Sequence, residues 1–221
     1  MKQQAQLQIR NETPQDYRMV EELTREAFWN MYVPGCSEHF LLHRMRDAQA
    51  FIPALDLVAS IDDKIVGNIV YTKGQIIADD GSEHEVITFG PVAVLPEFQR
   101  QGIGSALINE SLERAAKMDF IAVLIYGNPD YYKRFGFQAA ENFDVRTSDN
   151  MYAAALLALE LVPGALLKMP GRFCEDAVFE MAEEEVQAFD ATFLPKPLEE
   201  GNESQTAFLA MVTQRRPRSN E

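Results

Sequence analysis

Apolar and polar residues alternate along Leu7–Arg10, which predicts a short first strand. The period then lengthens. Met19, Val20, Leu23, Ala27 and Phe28 share one helical face, and this helix is expected to open with Thr13 as N-cap and Pro14 at its first position. Val33-Pro34-Gly35 interrupts the pattern, and a second helix is expected from about Ser37 to Asp47, with Phe40, Leu41, Leu42 and Met45 on its apolar side. Leu55–Ile61 and Ile65–Thr72 read as strands joined by the hairpin turn Asp62-Asp63-Lys64. Ile76-Ile77 leads to a turn at Asp79-Asp80-Gly81-Ser82, after which Val86–Val94 forms a strand interrupted at Gly90-Pro91. A proline inside a strand calls for a bulge or a free edge.

The stretch Val92–Ala116 organises the rest. It begins as an apolar strand, turns at Pro96 and passes through Gln99-Arg100-Gln101-Gly102-Ile103-Gly104 into a helix carrying Ala106, Leu107, Leu112, Ala115 and Ala116 at helical spacing. Gly102 and Gly104 have no Cβ, so backbone there can lie close against a ligand. The first N–H groups of a helix are unpaired and sit at the positive end of its dipole. With Arg100 beside them, they suit a phosphate or pyrophosphate. A ligand-free strand-to-helix turn has the same glycines, so Gly-x-Gly alone is weak evidence. There is no Gly-Lys-Ser/Thr, which excludes a Walker A loop, and Leu107 stands where the dinucleotide fingerprint needs its third glycine.

Beyond this helix, Phe120–Tyr126 is an apolar run ended by Gly127, as in a buried parallel strand. Asn128-Pro129-Asp130 opens a short helix at Tyr131–Arg134, and Phe135-Gly136-Phe137 turns into another strand. Leu156–Val162 and Val178–Met181 are expected as strands, Ala182–Phe193 as an acidic helix, and Ser204–Thr213 as a last helix capped by Asn202 or Ser204. Pro195 and Pro197 mark a linker, and the tail from Arg215 to Glu221 is expected to be disordered.

Composition narrows the function. A chain of 221 residues that is 47% hydrophobic can bury a proper core. A net charge of −14 argues against nucleic acid and anionic membrane surfaces, which need basic patches. No apolar run reaches spanning length, and Met1–Gln6 lacks a signal-peptide core. Cys36 and Cys174 are too far apart for a metal motif and read as free thiols of a reducing cytoplasm; His39, His43 and His84 form no metal pattern, so no metal is expected.

The segment Gln99-Arg100-Gln101-Gly102-Ile103-Gly104 resembles motif A of the GNAT superfamily of N-acetyltransferases, Gln/Arg-x-x-Gly-x-Gly/Ala, without a departure. A second resemblance lies in Tyr132, four residues before the Gly of Gly136-Phe137. The resemblance covers about Leu7 to Phe143. It implies an α+β, three-layer α/β/α fold with a mixed, mostly antiparallel central sheet, as a GNAT domain over residues 1–143 with an extension over 144–221. It also implies acetyl-CoA as co-substrate. The backbone of Gln99, Arg100, Gln101, Gly102, Ile103, Gly104 and Ser105 would hold its pyrophosphate. Val92, Ala93 and Val94 would line the pantetheine arm, with the N–H of Ala93 or Val94 as oxyanion donor. Asn128 would bond the arm or simply cap its helix. Tyr132 would protonate the leaving thiolate, since a phenol with pKa about 10 stays protonated at neutral pH; against this stands the commonest fate of a tyrosine, packing.

The reaction so implied is direct attack by a primary amine of a small molecule or peptide, bound together with acetyl-CoA. A cationic amine would be steered by the chain's negative charge. No general base stands out. Some GNAT members carry a Glu on the strand before motif A, where this sequence has Thr88. Glu85, His84, Glu38 and His39 are candidates by residue type, and a water relay is equally open. The extension holds nine Asp/Glu and one Lys between residues 175 and 200; it could complete the acceptor site, cover it or form a homodimer interface. The alternative to an enzyme is a non-catalytic acyl-CoA-binding sensor, which would keep the glycine loop without needing Tyr132.

Overall fold

The computed structural model describes residues 6–218. In chain order the elements are β1 (Leu7–Asn11), α1 (Tyr17–Phe28), α2 (Glu38–Met45), β2 (Leu57–Ile61), β3 (Lys64–Ala78), β4 (Glu83–Val94), α3 (Ile103–Lys117), β5 (Ala122–Tyr126) and α4 (Pro129–Tyr132). They are followed by β6 (Gln138–Ala139), β7 (Val145–Arg146), β8 (Met151–Ala153), β9 (Leu156–Glu160), β10 (Gly171–Cys174), α5 (Glu183–Asp190), α6 (Glu203–Val212) and β11 (Arg215–Pro217). The architecture is α+β with mixed, mostly antiparallel strand pairing, as expected. The chain forms two compact units, and it passes from one to the other within β3, after Tyr71, and within β4, after Phe89.

The first unit contains the chain up to Tyr71, Gly90–Arg114 and Val178–Glu200. β1 pairs antiparallel with β2 (Leu7↔Ile61) and β2 with β3 (Leu57↔Ile69), with a bulge between Ala59 and Ser60. The β2–β3 turn puts Asp62 and Asp63 at φ 47° and 64°, the left-handed conformation short hairpins require. α1 and α2 bury Val20, Leu23, Leu42 and Met45 against Val58, Val70 and Ala93. Each such side chain contributes about 1.5–3 kcal/mol when fully buried. Arg46 is buried with them and paired to Glu12 at 2.7 Å and Glu21 at 2.8 Å, so its charge is compensated.

The second unit contains Thr72–Phe89, Ala115–Ala177 and the chain from Gly201. Here the end of β3 and the start of β4 form a hairpin, with the N–H of Ala78 donating to the Ser82 carbonyl. β5 is paired with β9 along all of its length, Ala122↔Glu160 to Tyr126↔Leu156, but with β4 at the single parallel rung Ile87↔Val123. β10 runs antiparallel to β3 and parallel to β7. Ile76, Val86, Leu124, Leu156, Ala158 and Phe173 share the core.

Several expectations needed correction. α1 starts at Tyr17 with Asp16 at its N-cap; Thr13 instead donates N–H and hydroxyl to the Asp16 carboxylate, and the turn made there delays the helix. β3 is one strand of 15 residues, where two segments were expected. Gly90-Pro91 does not break β4, and its peptide bond is cis. Val178 lies in a single 3₁₀ turn (Ala177–Phe179) that buries its side chain, and the strand lies earlier, at β10. The proline linker is strapped down, because the Pro197 carbonyl accepts from Trp29 Nε1 (2.9 Å) and Asn30 Nδ2 (3.1 Å). The tail is ordered through β11, which pairs with β8, and Arg218 reaches Asp79 at 2.8 Å; residues 219–221 lie outside the described part.

Candidate active site

The glycine loop belongs to the first unit. β4 ends at Val94, and the N–H of Leu95 donates to Val66 at 2.9 Å, fixing the strand's exit. A 3₁₀ turn at Pro96–Phe98 follows, and the Gln99 side chain reaches back to the Val94 carbonyl (3.1 Å), as Gln101 does to that of Glu97 (3.1 Å). Both glutamines thus brace the turn. Arg100 and Gly102 both have positive φ, 60° and 86°. For arginine that conformation costs roughly 1–2 kcal/mol. Gln99 to Gly102 are exposed, Ile103 is buried, and Gly104 and Ser105 are half-buried in the first turn of α3. A Cβ at Gly102 would meet nothing within 4 Å, so the space before the helix is open.

α3 is held firmly behind this loop. Ile103 and Leu107 are buried, and Ser111 Oγ lies 2.8 Å from the Tyr71 hydroxyl. Gly67 on β3 makes the close packing possible: a Cβ there would stand 2.9 Å from the Ala93 carbonyl oxygen and 3.2–3.3 Å from Leu107 and Ile103. Sequence reading missed Gly67, whose only signal is a glycine amid an apolar strand. Ala93 is buried while Val92 and Val94 are half-buried on the other face of β4. Arg100 makes no ion pair or hydrogen bond among the described residues, which leaves an uncommitted cation at the start of α3 in a chain of net charge −14. The loop therefore offers backbone N–H groups, a helix dipole and a free guanidinium to an anion.

The tyrosine segment belongs to the second unit. Asn128 Oδ1 accepts from the N–H of Asp130 at 2.9 Å and caps α4, so the capping role considered for it is realised. The Tyr132 ring packs with Phe89 (5.9 Å between centroids) and Phe137 (5.7 Å). Tyr132 also covers Gly127, where a Cβ would fall 2.4 Å from its ring. Its neighbour Tyr131 packs edge-on against it at 5.0 Å between centroids and lies under the Arg134 guanidinium at 4.6 Å. Gly136, at φ 92°, closes the segment in the left-handed conformation that ends a helix.

The general-base candidates fare unequally. Glu85 is exposed and paired with Lys73 at 2.8 Å, and His84 Nε2 lies 2.9 Å from Ser82 Oγ at the hairpin end. Thr88 is buried and no carboxylate replaces it. Glu38 accepts from the N–H of Ser37 at 3.0 Å, and burial pushes its carboxyl up. His39 is fully buried, with Nδ1 3.4 Å from Cys36 Sγ and Nε2 3.2 Å from Asp190 Oδ1. The row Cys36–His39–Asp190 has the order of a nucleophilic triad but the wrong electrostatics. Burial raises the thiol and lowers the imidazole to about 4, so both are neutral where a thiolate–imidazolium pair is needed. Phe189 and Phe193 enclose the imidazole, at 5.4 and 5.1 Å. Among the described residues no His, Cys, Asp and Glu cluster could hold a metal ion, and no helix is long and apolar enough to cross a membrane.

Comparison with known proteins agrees with this geometry. Residues 54–139 match the acetyltransferase (GNAT) domain model. The chain is 29% identical over 139 residues to the uncharacterized N-acetyltransferase YhbS of Escherichia coli, covering 62% of this chain and 77% of that one. It is 36% identical over 86 residues to the uncharacterized N-acetyltransferase YjhQ of the same organism, 39% of this chain and 47% of that one. The crystal structure of YhbS in complex with CoA superposes with a TM-score of 0.71 at 24% identity, over 81% of this chain and 94% of that one. A GNAT family acetyltransferase from Brucella melitensis, in complex with acetyl-CoA, gives 0.65 at 28% identity, over 80% and 100%. Fold, loop and relatives together make this chain similar to the GNAT acetyltransferases, with the match to the domain model spanning residues 54–139.

Proposed function

We propose that the chain transfers the acetyl group of acetyl-CoA to a primary amine of a small molecule or peptide, by direct attack with both substrates bound. The observation that carries this reading is the loop Gln99–Gly104: two positive-φ residues, open space at Gly102 and an unpaired Arg100 at the start of α3. Its backbone N–H groups, through Ser105, would hold the pyrophosphate. Val92, Ala93 and Val94 would line the pantetheine arm, and the N–H of Ala93 or Val94 would donate to the oxygen of the tetrahedral intermediate. The carbonyl of Val94 already accepts from Gln99, so that residue would serve through its N–H. The neutral amine nitrogen attacks the thioester carbon, the C–S bond breaks, Tyr132 protonates the departing thiolate, and the proton released by the nitrogen returns through water to the Tyr132 phenoxide. Residues 1–143 would form the transferase domain, in a cytoplasmic setting where acetyl-CoA is available and Cys36 and Cys174 stay reduced.

A thermal-shift titration tests this directly. Acetyl-CoA at 100 times its dissociation constant is expected to stabilise the wild type by about 2.7 kcal/mol. Gly104→Trp, which fills the loop, should lose that shift. An amine panel with thiol-release detection then tests transfer. A stable wild type that does not shift at saturating acetyl-CoA removes the reading.

A further inference from the structure

Tyr132 owes its place to two parts of the chain. Gly127 lies against the outer edge of its ring: a Cβ there would stand 2.4 Å from Cε2, 2.7 Å from Cδ2 and 3.4 Å from Cζ, the atom that bears the hydroxyl. Tyr131, Phe135 and Phe137 pack on the ring from within the same short segment, at 5.0, 6.3 and 5.7 Å between centroids. Phe89 packs on it from β4, at 5.9 Å with 51° between the ring planes. Phe89 and Phe137 also meet edge-on, at 6.1 Å and 89°, and both are buried. Of these rings, Phe89 alone lies outside Gly127–Phe137.

That contact gains weight from the way the strands part. Among the described residues β4 and β5 pair at one parallel rung, Ile87↔Val123. From there to its end β5 is paired on its other side, with β9 as far as Tyr126↔Leu156, and the N–H of Gly127 donates to the Ala155 carbonyl at 2.8 Å. The backbone that leads into the tyrosine segment is thus fastened on the β9 side. Phe89 stands two residues past the rung, where strand alternation puts it on the same face as Ile87. From there its ring reaches the ring of Tyr132.

A general acid works only within hydrogen-bond reach of the atom it protonates, and a misplacement of about 1 Å can cost about 10²-fold in rate. In the acetyl-transfer reading above, on which this inference rests, the thioester lies along Val92–Val94 of β4, while the phenol that protonates its sulfur is carried by the segment after β5. We infer that Phe89 is a positioning residue for the transfer: its ring sets the distance and angle at which the Tyr132 hydroxyl stands from β4, and so from the sulfur held along that strand. Phe89 has no polar side-chain atom and moves no proton. The step itself is unchanged: the C–N bond forms, the C–S bond breaks, the hydroxyl proton goes to the thiolate, and the proton from the nitrogen returns through water to the phenoxide.

The other contacts cannot do this work. Gly127, Tyr131, Phe135 and Phe137 travel with Tyr132, so they fix its orientation within the segment and leave its separation from β4 open. Aromatic pairs are also directional. Rings at 4.5–7 Å prefer offset or edge-to-face arrangements, so a ring on β4 fixes an angle as well as a distance. Leucine at position 89 would keep the site apolar but shorten its reach and remove that preference.

The test is a double-mutant cycle on kcat with wild type, Phe89→Leu, Tyr132→Phe and the double variant. All four are first titrated with acetyl-CoA by thermal shift, and equal shifts are expected. Their melting curves set an assay temperature below the onset of unfolding in each, so that lost activity is not lost protein. Next, kcat at saturating acetyl-CoA is measured with spermidine, tyramine and an alanyl peptide. Phe89→Leu should lower kcat about 10-fold in the wild-type background but less than about twofold in Tyr132→Phe, where the hydroxyl it aims is already gone. Phe89→Met, with a longer reach, should lose only about threefold; it replaces Phe89→Leu in the cycle if the leucine variant does not fold. Packing alone would lower the melting temperature without this dependence on the Tyr132 hydroxyl. Wild-type kcat in Phe89→Leu, the same fold loss in both backgrounds, or a lost acetyl-CoA shift in Phe89→Leu overturns the assignment. Should the wild type bind acetyl-CoA but acetylate no amine, hydrolysis with water as acceptor is the readout; equal rates in wild type and Phe89→Leu, or no hydrolysis at all, overturn it too. Wild-type kcat in Tyr132→Phe removes the proton donor, and a wild type that does not bind acetyl-CoA removes the transfer reading itself; the role of Phe89 falls with either.

Discussion

The glycine loop and the tyrosine segment are built on opposite principles. Gln99–Gly104 presents backbone: its side chains brace the turn or point to water, and its tools are N–H groups, a dipole and one free cation. The segment Gly127–Phe137 presents a side chain, with one tyrosine wedged between a glycine and two phenylalanines. A site made of backbone has to omit side chains, and the omission shows in sequence as glycines at fixed spacing. A site made of one side chain looks like packing. Binding and chemistry should therefore separate on mutation.

The largest separation is expected for Tyr132→Phe. Loss of the hydroxyl should lower kcat about 10²-fold, near 2.7 kcal/mol, with the acetyl-CoA melting shift unchanged. Equal loss of the shift would show that Tyr132 serves binding. Gly127→Ala comes next. The added methyl group collides with the Tyr132 ring, which must move, so melting should fall by the equivalent of about 1–3 kcal/mol and kcat should drop while the cofactor shift survives. An unchanged kcat would mean that the ring's position is not critical. The smallest effects are expected at Arg100. Arg100→Ala should weaken acetyl-CoA binding by about 1 kcal/mol, less in high salt, with kcat at saturation unchanged. Arg100→Gly should weaken binding similarly yet raise the melting temperature of the free protein, by relieving the left-handed backbone. If both variants bind as wild type does, the free guanidinium has no part in holding the anion.

Legibility followed the range of the interactions. The Asp62-Asp63 hairpin, α3 and the loop before it are local features, and the residues that make them are neighbours in sequence. β10 went unread because Gly-Arg-Phe-Cys has no strand pattern of its own; its partner, Gln75–Ala78, lies nearly a hundred residues earlier. Val178 looked like a strand residue because it is apolar, and it is buried, but in the cluster of α1 and α2. Gly67, Gly74 and Gly127 are required by what packs over them, which the sequence around each does not record.

The cover that Val178–Glu200 lays over α1 has a consequence in time. Arg25 donates to Asp190, 165 residues later, and to the Leu194 carbonyl; Arg18 bonds Thr192, 174 residues later. At a synthesis rate of roughly 5–20 residues per second, α1 leaves the ribosome some ten to thirty seconds before these partners exist. During that interval Arg25 and the apolar side of α2 face water or a chaperone. A fragment limited to residues 54–139 would omit both helices and their cover.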